Sequence, residues 1–244
     1  MPSSKHYSRA PITEALIDLR AELPDGVTLA TLIDVHSIIK ADYPMRQELM
    51  IFQGKMVAGA SVGATASQTQ TGYGFSSSDR KQTFQARLDG FTFSRLAPYD
   101  RWETFRGEAQ RLWSIYQSAT NPKRISRVAL RYINRLDLPF PFEDFKDYLR
   151  TVPEVSPDLP QGLSGYFMQL QIPQDDLRAM LVLNQAIIPP PSPDVVSVLL
   201  DIDLGREIEL PDTEAAWDVL EQLHTRTDQV FEACITDLTR ELID

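Results

Sequence analysis

From Arg127 to Leu138 the chain reads RVALRYINRLDL, and no other stretch narrows the fold as much. Residues two apart in a strand point the same way. Val128, Leu130, Tyr132, Asn134 and Leu136 thus form one face, mostly apolar. Arg127, Ala129, Arg131, Ile133 and Arg135 form the other. Such a strand belongs in a sheet that is covered on one side only. The same division recurs twice. In VLLDIDL, Asp201 and Asp203 share a face while Leu200, Ile202 and Leu204 share the opposite one, and in LIDLR, Asp18 and Arg20 lie together.

The elements that would cover the apolar faces are two long amphipathic segments. After Asp100, Trp102, Phe105, Ala109, Leu112, Trp113 and Tyr116 recur at steps of three and four, the spacing of one helix face. Asp100 with Glu103 fits a capping box. After Pro211, with Asp212 as the expected N-cap, a second stripe runs through Trp217, Leu220, Leu223, Val230, Phe231, Cys234, Leu238 and Leu242 to the end of the chain. Asp89-Gly90 signals a two-residue hairpin that sets Leu88 opposite Phe91 and Ala86 opposite Phe93. The loop IIPPPSPD reads as a stiff connection between two strands. Residues 59–79, small and polar throughout, read as either a loop or a weak edge hairpin.

Set side by side, the halves follow one order. PITEALIDLRAEL is a strand, VTLATLIDVHSIIKADY a short helix, and strands and the first long helix follow. RISRVALRYINRLDL is a strand, FEDFKDYLR a short helix, and three strands and the second long helix follow. Ala15-Leu16 and Ala129-Leu130 are shared between them. The fold expected is α+β, two similar strand–helix–strands–helix units over 1–120 and 121–244, or one merged domain, with a mainly antiparallel sheet packed on the two long helices.

Composition removes several function classes. Of 244 residues, 43% are hydrophobic and 24% charged, the balance of an ordinary globular chain. No apolar run approaches the roughly 20 residues of a membrane helix, and the first residues lack the apolar core of a signal peptide, so a cytoplasmic protein is expected. Cys234 is the single cysteine, and His6, His36 and His224 stand far apart. No intrachain disulfide, metal site or cofactor is expected. A net charge of −10 opposes general nucleic-acid binding. No glycine motif supports a phosphate-cradling loop, and no serine sits in a nucleophile elbow.

The charged face admits two readings. In one, its arginines and aspartates are cross-strand ion pairs on the solvent side of a half-buried sheet. In the other, the strands line a ligand groove. Arg131 and Arg135 then grip an anion, and Asp201 and Asp203 bind Mg²⁺ or supply a base, with Asp18, Arg20 and Glu14 nearby. His36 and His224 read as packed or surface histidines, and Cys234 as an inert buried thiol.

PITEALIDLR, FSRLAPYDRWETF, RVALRYINRLDLP and LLDIDL together resemble a family of uncharacterised prokaryotic proteins, about this long and scattered sporadically among bacteria and archaea. The resemblance spans nearly the whole chain and carries no established activity. The scatter implies horizontally transferred loci of the toxin–antitoxin or phage-defence kind. The function expected is a non-enzymatic binding or interaction protein with a protein partner or a second copy of itself. The alternative is a Mg²⁺-dependent enzyme or sensor for nucleotide or phosphate ligands on the charged face.

Overall fold

The computed structural model describes residues 7–57, 63–210 and 213–244. It is α+β with a large antiparallel sheet. Strand β1 (Ile12–Glu22) is followed by helix α1 (Leu29–Ile39). Strands β2 (Met45–Val57), β3 (Gly63–Ser76), β4 (Gln82–Arg87) and β5 (Gly90–Leu96) lead to helix α2 (Trp102–Thr120). Strand β6 (Arg124–Pro139) precedes a 3₁₀ turn at Phe145–Asp147. Strands β7 (Phe167–Gln174), β8 (Ala179–Ile188) and β9 (Val195–Leu210) lead to helices α3 (Thr213–Cys234) and α4 (Asp237–Ile243). The nine strands of the described residues form one sheet in the order β2-β3-β4-β5-β1-β6-β9-β8-β7.

The core lies between one sheet face and the helices. Ile17, Phe93, Leu130 and Ile202 from the strands meet Leu32, Trp113 and Leu220 from the helices in one buried cluster. Helix α3 packs on β6 and β9, α2 on β5, and α1 on α2 and β3. On β6, Val128, Leu130, Tyr132, Asn134 and Leu136 are all buried, in agreement with the alternation of the sequence. The odd polar member, Asn134, donates to the Leu200 carbonyl at 3.1 Å, which satisfies its amide inside the core.

Several local expectations shift. The hairpin pairs Arg87 with Gly90 and Ala86 with Phe91, so Leu88 and Asp89 form the turn. The cause is Gly90. Its φ is 144°, and a Cβ there would run into the Leu19 carbonyl. Gly90 is thus the first residue of a strand lying against β1, and the turn moves back one position. Leu88 leaves the core face and is 37% exposed. Ala15 faces the core with Ile17, whereas Ala129 lies between Arg127 and Arg131 on the other face, so the shared Ala-Leu pair does not mark equivalent positions.

Helix α2 starts after Arg101 with no side-chain cap, so the Asp100–Glu103 capping box does not form. The expected cap at Asp212 and residues 58–62 lie outside the described residues. The segment 63–76 of the small polar region is strand β3, paired with β2 and β4. FEDFKDYLR gives only the 3₁₀ turn, because Leu149 bridges to Ile235. That bridge also divides the last helix. Arg150 N–H donates to the Cys234 carbonyl at 2.9 Å and Thr236 N–H to the Tyr148 carbonyl at 3.1 Å. Backbone groups that would continue α3 are thereby engaged elsewhere.

Candidate functional site: the charged sheet face

Antiparallel pairing of β6 with β9 sets Arg131 directly opposite Asp203, and β1 pairs with the other edge of β6. Three of the charged strands are therefore neighbours. Their long side chains reach diagonally rather than straight across. Arg131 passes over Asp203 to Asp201, where Nε and Nη2 donate to the two carboxylate oxygens, each at 2.7 Å. Asn184 on β8 donates to the same carboxylate at 2.9 Å. Asp201 is buried, its side chain 3% exposed, while that of Arg131 is 40% exposed. This planar, bidentate contact raises the Arg131 pKa against the opposing effect of burial, and the charges of Asp203 and Glu14 add to it.

A second knot forms around Asp18. Arg87 Nη2 lies 2.8 Å from its carboxylate, Arg20 Nε 3.2 Å and Arg127 Nη1 3.4 Å. Thr92 donates to it at 2.7 Å. Burial pushes the Asp18 carboxyl up. The charge and hydrogen bond of Arg87 and the hydroxyl of Thr92 outweigh that and hold it below the usual range. Arg20 and Arg87 both also reach Asp89 in the turn.

Asp203 lies between the two knots and differs from both aspartates. It meets Arg127 at 3.9 Å. Burial raises its pKa and the neighbouring Asp201 and Asp18 charges add to this, against the pull of Arg127 and Arg131. Arg127 is held as loosely, at 3.5 Å from Glu207 as well. Its guanidinium lies over Gly205, where a Cβ would fall 2.5 Å from Nη2. Gly205 thus makes room for an arginine that no single carboxylate captures.

The six residues singled out in the sequence separate into four places. Arg131 and Asp201 form the first knot, Asp18 and Arg20 share the second, and Asp203 stands between. Arg135 does not join Arg131: it turns to Asp137 at 2.8 Å and the Ser197 hydroxyl at 3.0 Å. A shared anion grip by Arg131 and Arg135 is therefore not assembled, because the side chains are engaged with different partners. Nor do Asp201 and Asp203 present a common pair, since the Asp201 oxygens are taken by Arg131. Among the described residues no group of three His, Cys, Asp or Glu side chains is arranged to hold a metal. Arg87, Thr92 and Asn184 escaped the sequence reading. For Arg87 the signal was present: Gln85 and Arg87 alternate with the apolar Phe84 and Ala86.

Beside Asp18 the face opens into a depression of about 590 Å³. Arg20, Arg124 and Arg127 line it together with Glu22, Asp89 and Glu207. The signs balance, so the surface suits a partner of mixed charge better than a polyanion.

Another polar cluster is on the helix side. His224 stacks on Trp102 with ring centres 4.2 Å apart, and its Nδ1 lies 3.4 Å from the Tyr132 hydroxyl. Burial lowers its pKa, outweighing the charges of Asp228, Glu221 and Glu103. His36 is also packed, stacked on Phe75 with Nε2 3.0 Å from the Tyr43 carbonyl. Burial pushes the Cys234 thiol up to about 11. No described helix is long and apolar enough to cross a membrane. Neither family models nor curated proteins match the chain.

Proposed function

We propose that the chain is a non-enzymatic binding protein that receives a protein partner on the charged sheet face, at the depression lined by Arg20 and Arg127. The observation that carries this reading is the Arg131–Asp201 pair. Its donors and acceptors satisfy each other, so the centre of the face acts as a rigid platform. The loosely held Arg127 and Asp203 beside it remain able to exchange an internal pair for an external one. Two similar units and a cytoplasmic location belong to the same proposal. The strand order supports the former, since β3-β4-β5-β1 is mirrored by β7-β8-β9-β6. A single cysteine suits a reducing compartment. Membership of the sporadic prokaryotic family is proposed on the quoted motifs.

Native mass spectrometry of the chain purified at low salt from its own cells tests the reading. A second protein mass is expected with the wild type and not with Arg20→Glu/Arg127→Glu, at equal thermal stability. A partner that survives both reversals, or a wild type that never carries one, rejects it. A second reading keeps Asp203 and Arg127 as half of a Mg²⁺–phosphate or nucleotide site, favoured by the sparse pairing of Asp203. Calorimetry with a nucleotide panel and Mg²⁺ separates the two. Heat that disappears in Asp203→Asn would move the function to the second.

A further inference from the structure

Among the described residues, strand β7, Phe167–Gln174, is an edge of the sheet and pairs with β8 alone. The Ile187 amide donates to the Tyr166 carbonyl at 3.2 Å, and Phe167 stands opposite Ala186. In an antiparallel pair, bonded and non-bonded positions alternate. Met168, Leu170, Ile172 and Gln174 therefore spend their backbone groups on β8. Phe167, Gln169, Gln171 and Pro173 turn theirs outward. Pro173 agrees with this parity, since a residue without an N–H is tolerated where the ladder does not need one.

Sheet edges are normally guarded by charge, bulges or covering loops. FMQLQIPQ contains no charged residue. The opposite edge, β2, carries Arg46 and Glu48. The strand is also open: Phe167 is 69% exposed and Ile172 39%, Gln169 and Gln171 are exposed, and Met168 and Leu170 are only partly buried.

We propose that β7 is a self-association edge, where two copies of the chain join their sheets antiparallel about a two-fold axis at Gln169. The occupant is a second copy for two reasons. The first is charge. Chains of net charge −10 repel each other, and a neutral strand is where two of them can meet. The second is register. With Gln169 opposite Gln169 of the second copy, Phe167 stands opposite Gln171 and Met168 opposite Leu170. The free amides of Phe167, Gln169 and Gln171 each then find an outward carbonyl. Pro173 falls beyond the paired segment, so its missing N–H leaves no carbonyl unanswered. The partly exposed Met168 and Leu170 cover each other on the helix side. Such an isologous contact places like residues together and closes at two copies. The inference goes beyond the proposed function and is independent of it, because the edge lies apart from Arg20 and Arg127.

Sedimentation equilibrium of the full chain, with hydrogen exchange, provides the test. A monomer–dimer equilibrium is expected that strengthens with salt, as repulsion between the copies is screened. The amides of Phe167, Gln169 and Gln171 should gain protection as concentration rises, while those of Met168 and Leu170 are protected throughout. Gln169→Pro removes only an outward N–H, and Gln169→Lys puts like charges opposite each other while keeping that N–H. Both should yield monomers with the fold retained, and the lysine variant still decides if the proline one misfolds. A wild type that is monomeric at its highest attainable concentration overturns the proposal. So does a dimer that Gln169→Lys leaves intact. A monomer whose β7 amides are protected only by another protein also overturns it, and assigns the edge to that partner.

Discussion

Asp201 and Asp203 are two residues apart on one face, yet their surroundings give them opposite roles. Asp201 receives both Arg131 donors and Asn184. Asp201→Asn breaks that grip and should destabilise the fold by about 2 kcal/mol. This is below the roughly 3–5 kcal/mol of a fully buried pair because Arg131 is 40% exposed. Burial raises the Asp203 pKa, and the neighbouring Asp201 and Asp18 charges add to this against the pull of Arg127 and Arg131. A carboxylate with a raised native pKa contributes stability below its unfolded value and loses it as pH rises through the native one. Asp203→Asn should therefore leave stability unchanged or raise it slightly at neutral pH. Denaturant unfolding of both variants checks the pair, and equal losses would contradict the assignment. For His224 the sign differs. Its native pKa is lowered by burial, so its contribution is complete above 6.5 and is lost as pH falls below that value. The melting temperature should fall between about pH 7 and 5, and fall less in His224→Phe, which keeps an aromatic ring on Trp102.

At the scale of elements, hidden close approaches override sequence pattern. Asp89-Gly90 is a sound turn signal, but Gly90 is required where β5 passes the Leu19 carbonyl. Gly90→Ala meets both that carbonyl and an unfavourable φ, so a loss of about 1–3 kcal/mol is expected, read from the shift in urea midpoint. The final stripe likewise has the period of one helix, and only the Leu149–Ile235 bridge divides it. Beside that break Cys234 is buried, with its thiol pushed up to about 11. It should react with a thiol reagent only at the rate of unfolding, and rapid labelling of the native chain would show the break to be open.

For the whole molecule, the central pairing of β1 with β6 joins the first half of the chain to the second. Ile17, Leu19, Val128 and Leu130 are fully buried along that seam. Removing either half would expose them together with an unpaired strand edge. Fluorescence of Trp113 and Trp217, buried in opposite halves, should report one coincident unfolding transition. The fragment 1–120 alone should not melt cooperatively. Two separate transitions, or a cooperatively folded fragment, would show that the seam does not bind the halves into one unit.

The alternation of β1, β6 and β9 was legible because a two-residue period depends only on strand geometry. It assigned Arg127, Arg131, Asp201 and Asp203 to the charged face and Leu130 and Ile202 to the core. Which charges meet was not legible. Asp18, Arg87 and Arg127 come together through the order β4-β5-β1-β6, and Arg131 reaches Asp201 by a diagonal across β9. Such contacts depend on strand order and register, fixed by packing between segments far apart in the chain. The residues thus determined the faces by themselves. The tertiary structure alone decided that Arg131 is held by a buried carboxylate at 2.7 Å while Asp203 and Arg127 meet only at 3.9 Å.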